Sequence, residues 1–276
     1  MSVSVTSVLP IGLIIIGDEI LSGKREDKHL AQVIRILGER GLSLAWVEYV
    51  GDDPVRITAV LARALASGDV VFSCGGIGAT PDDHTRQCAA RALGVPLALH
   101  PQARIWITER MHDMAREQGV PLDENSLENQ RRLEMGMFPQ GAGVIANPYN
   151  KIPGFVCAST HPQPGHPNAG VHFVPGFPVM AWPMIESVLD QRFADAFSKD
   201  AYREQSVIVL GAMESTLAPL MQRIEADHSG IKVFSLPSVD HPQWGKHIEL
   251  GVKGAPDAVA KAYADLLQAL RLMQIS

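Results

Sequence analysis

A chain of 276 residues, 46% hydrophobic and 20% charged, holds enough apolar material for one large domain or a medium domain beside a small one. Its formal net charge of −6 and pI near 5.9 argue against a general nucleic-acid or anionic-membrane partner. The three cysteines, Cys74, Cys88 and Cys157, are odd in number and lack metal-ligand spacing, which favours a reducing compartment over a disulfide framework. No apolar stretch reaches transmembrane length, and Met1 to Pro10 lacks the basic start of a signal peptide, so a cytoplasmic protein is expected.

In chain order, Ile11-Gly12-Leu13-Ile14-Ile15-Ile16 is a continuous apolar run, as in a central strand covered on both faces. It stops at Gly17-Asp18-Glu19-Ile20-Leu21-Ser22-Gly23, a glycine-bracketed loop carrying acids. Asp27 suits an N-cap, and Leu30, Val33, Ile34 and Leu37 follow at helical spacing, ending at Gly41. Leu42 to Val50 reads as the next strand, closed by Gly51-Asp52-Asp53-Pro54, with Asp53 as N-cap and Pro54 at the first helical position. Ile57, Val60, Leu61, Ala64 and Leu65 form the buried stripe of that helix, which ends near Gly68.

The third strand, Val70 to Cys74, runs straight into Gly75, Gly76 and Gly78, followed by the polar turn Thr80-Pro81-Asp82-Asp83-His84-Thr85 and a helical pattern. Glycines there let the backbone turn tightly and present N–H groups with no Cβ in the way, and such a nest before a helix suits a phosphate. Carboxylates beside a phosphate call for a metal ion or for work in proton transfer. The plainer reading of Asp82 and Asp83 is an acidic cap on a strand–turn–helix joint.

Three strand–helix units imply right-handed crossovers and a mostly parallel sheet with helices on both faces. The loops 17–23, 51–54 and 75–83 all follow carboxyl ends of predicted strands, where ligands of such sheets lie, so they are expected to converge on one rim. The segment 12–23 contains no Gly-x-Gly-x-x-Gly, and no Gly-Lys-Ser/Thr follows Gly78, which argues against a dinucleotide-binding fold or a P-loop.

Beyond residue 95 the pattern loosens. Pro101 to Gly119 and Asn125 to Met137 read as helices, the first with Ile105, Trp106, Met111 and Met114 in the core. A Pro/Gly turn follows at 139–143, and Ser159 to His172 reads as an exposed loop between two strands. His161, His166 and His172 match no standard metal-ligand spacing. Residues 191–205 are charged, with Phe193 and Phe197 as their large apolar groups, and read as a linker. A compact β-α-β-β-α unit closes the chain: strand 206–210, helix 214–227, strands 231–236 and 247–252, and helix 256–273. Its last helix carries a stripe of Val259, Ala262, Tyr263, Leu266, Leu267 and Leu270.

Gly17-Asp18-Glu19-Ile20-Leu21-Ser22-Gly23, Val50-Gly51-Asp52-Asp53 and Gly75-Gly76-Ile77-Gly78-Ala79-Thr80-Pro81-Asp82-Asp83-His84-Thr85 resemble the successive motifs of the molybdopterin-binding (MoaB/Mog) domain. Their wording resembles the branch of competence/damage-inducible protein A (CinA-like). The match continues through Asn147-Pro148, Ile152-Pro153-Gly154-Phe155 and Val174-Pro175-Gly176-Phe177-Pro178 and covers roughly residues 10–190. Departures are Cys74 where threonine is common, Ala79 where proline is common, and Met180 where the Pro-Gly-x-Pro segment usually carries Glu.

The resemblance implies a three-layer α/β/α sandwich over 1–190, a linker over 191–205 and a small KH-like α+β domain over 206–276. A KH module that reads RNA needs a Gly-x-x-Gly clamp, and with none expected here the small domain is read as a packing or oligomerisation unit. The resemblance also implies phosphate binding by Gly75, Gly76, Gly78, Thr80 and Thr85, with Gly17, Asp18, Glu19, Asn147, Pro175 and Gly176 lining the pocket. In adenylylating members the aspartates matching Asp52 and Asp83 are needed for activity, and some competence-protein relatives hydrolyse the pyrophosphate of ADP-ribose with a divalent metal. The expectation is therefore a metal-dependent nucleotide pyrophosphatase, with Asp52 and Asp83 catalytic and Asp52, Asp82 and Asp83 holding the ion. The alternatives are a molybdopterin-binding or molybdopterin-adenylylating protein of molybdenum cofactor biosynthesis, or a non-catalytic ligand-binding protein. The expected partner is a small-molecule pterin or nucleotide, with neither nucleic acid nor membrane, in a homo-oligomer.

Overall fold

The computed structural model describes residues 9–163, 166–197 and 203–273; expectations for residues 1–8 and for the 198–202 part of the linker lie outside them. The chain divides after Phe197 into two compact units. In the first, the elements are β1 (Ile11–Ile16), α1 (Asp18–Leu21), α2 (His29–Gly38), β2 (Leu44–Val50), α3 (Pro54–Ser67), β3 (Val70–Cys74) and α4 (Thr85–Leu93). They continue as β4 (Leu97–Leu99), α5 (Pro101–Gln118), α6 (Leu127–Glu134), β5 (Met137–Pro139), β6 (Gly143–Ile145), β7 (Gly154–Ala158), β8 (Gly170–Val174) and α7 (Pro178–Arg192).

Six strands form one sheet in the order β2-β1-β3-β8-β7-β6. The first four run parallel, and β7 is antiparallel to both its neighbours. Side chains alternate between the faces, as a pleated strand requires. Leu13, Ile15, Phe72 and Val174 pack under Val33, Ile36 and Leu37 of α2 and Met184 and Ile185 of α7. Ile14, Val71, Phe155 and Phe173 pack under Ile57, Leu61 and Leu65 of α3, Ala89 of α4 and Ile107 of α5. The unit is thus the expected α/β/α sandwich, its sheet mainly parallel.

From β1 the chain moves one way to β2, and from β3 the other way to β8. The strand order therefore reverses between β1 and β3, the point at whose carboxyl ends sheets of this kind hold their ligands. Because β8 and β6 run in the same direction as β1 and β3, the segments after Val174 and Ile145 reach that rim too.

Several details depart from the sequence pattern. Ile34 is 53% exposed and Ile36 takes its place in the core, while on α5 the buried face is Ala103, Ile107 and Met111, leaving Ile105 exposed. The helix read over 125–137 is shorter, and Met137 begins β5, which pairs with β4. His172 belongs to β8, not to a loop: it is fully buried against Phe72 and Phe193 with ring centroids 5.4 and 5.8 Å away. Burial lowers its pKa to about 3, so it is a neutral core residue. Of the residues read as linker, 191–197 belong to the first unit: they finish α7 and a 3-10 turn, with Phe193 buried and Phe197 under the Arg40 guanidinium at 5.8 Å.

The second unit contains β9 (Arg203–Leu210), α8 (Glu214–Asp227), β10 (Lys232–His241), β11 (Gly245–Gly254) and α9 (Pro256–Leu272), in an antiparallel sheet ordered β10-β11-β9. β9 thus starts inside the stretch read as linker. Val259, Ala262, Leu266 and Leu270 of α9 pack with Leu217 and Ile224 of α8 over Ile248, Leu250 and Val252. Gly251-Val252-Lys253-Gly254 does spell Gly-x-x-Gly, which corrects the expectation that the unit has none. It lies inside β11, paired to β9 along its length, so its amides are already engaged in the sheet.

Candidate functional site

The β3–α4 loop is shaped by close approach. Gly75 and Gly76 adopt φ +108° and +67°, where a side chain is strained. A Cβ on Gly75 falls 2.4 Å from the Ile16 carbonyl oxygen, one on Gly76 2.1 Å from Thr85 Oγ1, and one on Gly78 2.6 Å from Asp83 Oδ2. Gly75 and Gly76 are required by backbone conformation and space, whereas a side chain at Gly78 would displace the Asp83 carboxylate.

The carbonyls of this loop are held from behind. Thr85, fully buried at the start of α4, donates its Oγ1 hydroxyl to the Gly75 oxygen at 3.2 Å and its N–H to the Gly76 oxygen at 3.0 Å. Arg86, only 5% exposed, donates Nη1 to the Ile77 oxygen at 2.5 Å and Nη2 to the Gly78 oxygen at 2.8 Å. Burial lowers the Arg86 pKa, with the Asp83 and Glu134 charges opposing that shift. Four successive carbonyls are thereby tied down. Among the described residues no acceptor meets the N–H groups of Gly76, Ile77, Gly78 or Ala79. The loop is a nest of outward-facing donors in front of a helix N-terminus.

Asp83 braces the far side. Its Oδ2 accepts from Thr80 N at 2.8 Å and Thr80 Oγ1 at 2.6 Å, and its own N–H donates to the Thr80 oxygen at 3.0 Å. Asp82 beside it is exposed.

On the same rim the loops after β1 and β2 form an acid strap. Asp52 Oδ2 accepts from Asp18 N at 2.8 Å, and Asp18 Oδ1 accepts from Asp52 N at 3.1 Å. Gly51 makes room for this exchange, since a Cβ there falls 2.3 Å from Asp18 Oδ1. Partial burial is the largest influence on Asp52 and raises its pKa; the Asp18 amide opposes this, and the Asp18, Glu19 and Asp82 charges add to it. Gly17 donates to the Val50 oxygen at 3.0 Å, joining the two strand ends. Asp18 and Glu19, with Leu21, Ser22 and Lys24, line a shallow open depression. Asp53 is a capping residue: its Oδ1 accepts from Val55 N and Arg56 N at 2.8 and 2.9 Å.

Gly176, after β8, comes close enough that its Cβ position is 3.4 Å from Gly75 Cα, and its oxygen lies 3.0 Å from Nε2 of the buried His29. Pro175 is half-buried beside it. Asn147 is buried and occupied within its own turn: Nδ2 donates to Asn150 Oδ1 at 2.8 Å and to the Ile152 oxygen at 3.0 Å, and Oδ1 accepts from Tyr149 N at 3.0 Å. The Met180 sulfur lies 3.6 and 3.5 Å from the Asn147 and Asn150 amide nitrogens, where it is a weak acceptor.

The structure therefore brings Gly75, Gly76, Gly78, Thr80, Asp83, Thr85 and Gly176 to one loop cluster and Gly17, Asp18, Glu19 and Asp52 to the strap beside it. It does not draw Asp52, Asp82 and Asp83 into a ligand set. Asp52 is turned onto Asp18 and Asp83 onto Thr80, and among the described residues no group of three or more His, Cys, Asp or Glu side chains converges as a metal would need. Arg86 and His29, which no sequence pattern singled out, are both buried next to the loops. A signal for Arg86 existed: a cation in the first turn of a helix opposes the helix dipole and needs another reason to be there.

Residues 12–195 match the family model described as "Probable molybdopterin binding domain". A Thermoplasma volcanium protein is 27% identical over 92% of this chain and 96% of its own length. A CinA-like protein of Syntrophotalea carbinolica is 27% identical over 79% of this chain but 50% of its own length, so the chain spans about half of that relative. The crystal structure of the protein CinA from Thermoplasma acidophilum, 24% identical, superposes with a TM-score of 0.53, covering 67% of this chain and 99% of that one. At that identity the likeness speaks for the fold. No helix among the described residues is long and apolar enough to cross a membrane.

Proposed function

The chain belongs to the molybdopterin-binding domain family, and from that premise we propose that it binds a phosphorylated small molecule of the molybdopterin type, its phosphate seated on the amides of residues 76–79. The observation that supports this reading is the division of labour in the loop: four carbonyls held from behind by Thr85 and Arg86, four amides facing out. A phosphate oxygen accepts such amides without further rearrangement, and α4 adds its positive end. Calorimetry with a pterin phosphate and its dephosphorylated form tests the reading. The phosphorylated form is expected to bind at least about a hundredfold more tightly, since several charge-assisted bonds are at stake. Equal binding of the two forms contradicts it.

Turnover is a second reading, favoured by one observation: Asp52 and Asp83 each engage one carboxylate oxygen and have no described partner on the other. Cleavage of the pyrophosphate in ADP-ribose, or transfer of an adenylyl group, needs a carboxylate to position the nucleophile. The carboxylates do not fit the expected divalent ion as a ligand set. Incubation with ADP-ribose across a panel of divalent ions, comparing the unmodified protein with Asp83→Asn, separates the readings. A fall of several orders of magnitude in the Asn variant supports turnover; no product from either leaves the protein a binder.

A further inference from the structure

We propose that Arg86 sets the charge preference of the nest, so that the site selects a terminal phosphomonoester in its dianionic form over singly charged anions. The inference rests on the phosphate-binding reading above and adds the chemical class of the ligand's end group. Arg86 is 5% exposed, and its guanidinium is spent on the Ile77 and Gly78 carbonyl oxygens. Among the described residues no carboxylate lies within ion-pair distance of it. It feels the charges of Asp83, which is turned onto Thr80, and of Glu134.

A buried cation hydrogen-bonded only to carbonyl dipoles, with the Asp83 and Glu134 charges acting on it from beyond ion-pair distance, is costly, and an anion arriving on the other side of the same peptide groups offsets that cost. The bonds of Arg86 end on the carbonyls of Ile77 and Gly78, and the N–H groups of residues 76–79 face the opposite way. Each peptide so held carries the influence of the guanidinium toward the ligand position. The acid strap of Asp18, Glu19 and Asp52 works against anions in general, so a fixed positive charge behind the nest is needed for a doubly charged group to be favoured. Geometry makes Arg86 a positioning residue, and its charge makes it a specificity-determining one.

Methyl phosphate and methyl sulfate share a shape and differ by one charge at pH 8, above the second phosphate ionisation at about 6. Amide chemical shifts of the full chain, followed during titration with each, give both affinities. The unmodified protein is expected to prefer methyl phosphate about tenfold, the effect of one extra charge facing a fixed cation at partly buried range. Arg86→Gln is expected to reduce that ratio to near one. Arg86→Lys weakens both ligands by losing the fork but keeps the ratio, which a purely structural role would not do. If Arg86→Gln does not fold, Arg86→Lys decides: a preference lost in that variant although the charge is kept overturns the assignment, and in the unmodified protein the preference must vanish as methyl phosphate becomes a monoanion well below about pH 6. Equal affinity for both anions at pH 8, or a ratio unchanged in Arg86→Gln, overturns the assignment of Arg86 while the phosphate site stands. Failure of either anion to shift the amides of residues 76–79 overturns the site itself.

Discussion

The nest after β3 and the strap after β1 and β2 are built from the same materials, glycines and acids at the carboxyl ends of neighbouring strands, yet they carry opposite electrostatic character. In the strap the backbone amides of Asp18 and Asp52 are consumed by carboxylates. In the nest the carbonyls are consumed, by Thr85 and Arg86, and the amides are left over. Which half of the peptide group is engaged decides which half meets the ligand. On the proposed reading, an acid-rich rim still presents a place where an anion is welcome.

The largest expected effect comes from closing the nest. Gly76→Val adds a branched side chain at φ +67°, with a Cβ position 2.1 Å from Thr85 Oγ1. Strain and clash together are expected to cost about 3 kcal/mol of stability. Phosphate affinity is expected to fall beyond measurement, read by thermal melting and by calorimetry with pyrophosphate. A folded Gly76→Val protein with unchanged affinity breaks the comparison.

A smaller effect, confined to stability, is expected on the strap side. Asp53→Ala removes the cap that accepts Val55 N and Arg56 N, and is expected to lower the midpoint of denaturant unfolding modestly with phosphate affinity intact. The Val55 and Arg56 amides hold the Asp53 pKa below the usual carboxylate range, the Arg56 bond most strongly. The cap contribution is therefore present above the unfolded pKa of an aspartate and lost as pH falls through the lower folded one.

The smallest effect has the opposite sign. Asp52 has a raised pKa, so its charge is less welcome in the folded state than in the unfolded one. Stability is fully present below the unfolded aspartate value and declines as pH rises through the folded one. Asp52→Asn keeps an acceptor for Asp18 N and is expected to gain less than about 1 kcal/mol at pH 7, because the group is partly solvated. The gain should vanish at pH 3. A loss of stability at pH 7 shows that the strap is held by charge after all.

The parts of this molecule legible in its sequence are those written in long periodic runs. β1, β2 and β3, the helices between them and the convergence of three loops on one rim follow from apolar runs punctuated by glycine and aspartate. β4, β5 and β6 are three residues each, too short for any period to register. His172 was illegible for another reason: its type suggests a ligand, and only the packing of Phe72 and Phe193 shows it to be core. The glycine nest could be read, but not what holds it, since the bonds from Arg86 to Ile77 and Gly78 span eight or nine residues and depend on the path of the loop. The occupation of Asn147 by its own turn is likewise a property of the fold rather than of a motif.

The most direct test of the nest is a nitrogen–proton correlation titration of the labelled chain with pyrophosphate. The amides of Gly76, Ile77, Gly78 and Ala79 are expected to shift downfield together along one saturable curve, with those of Asp18 and Asp52 moving little because carboxylates already hold them. Saturable shifts centred on the strap, with residues 76–79 unmoved, contradict the account.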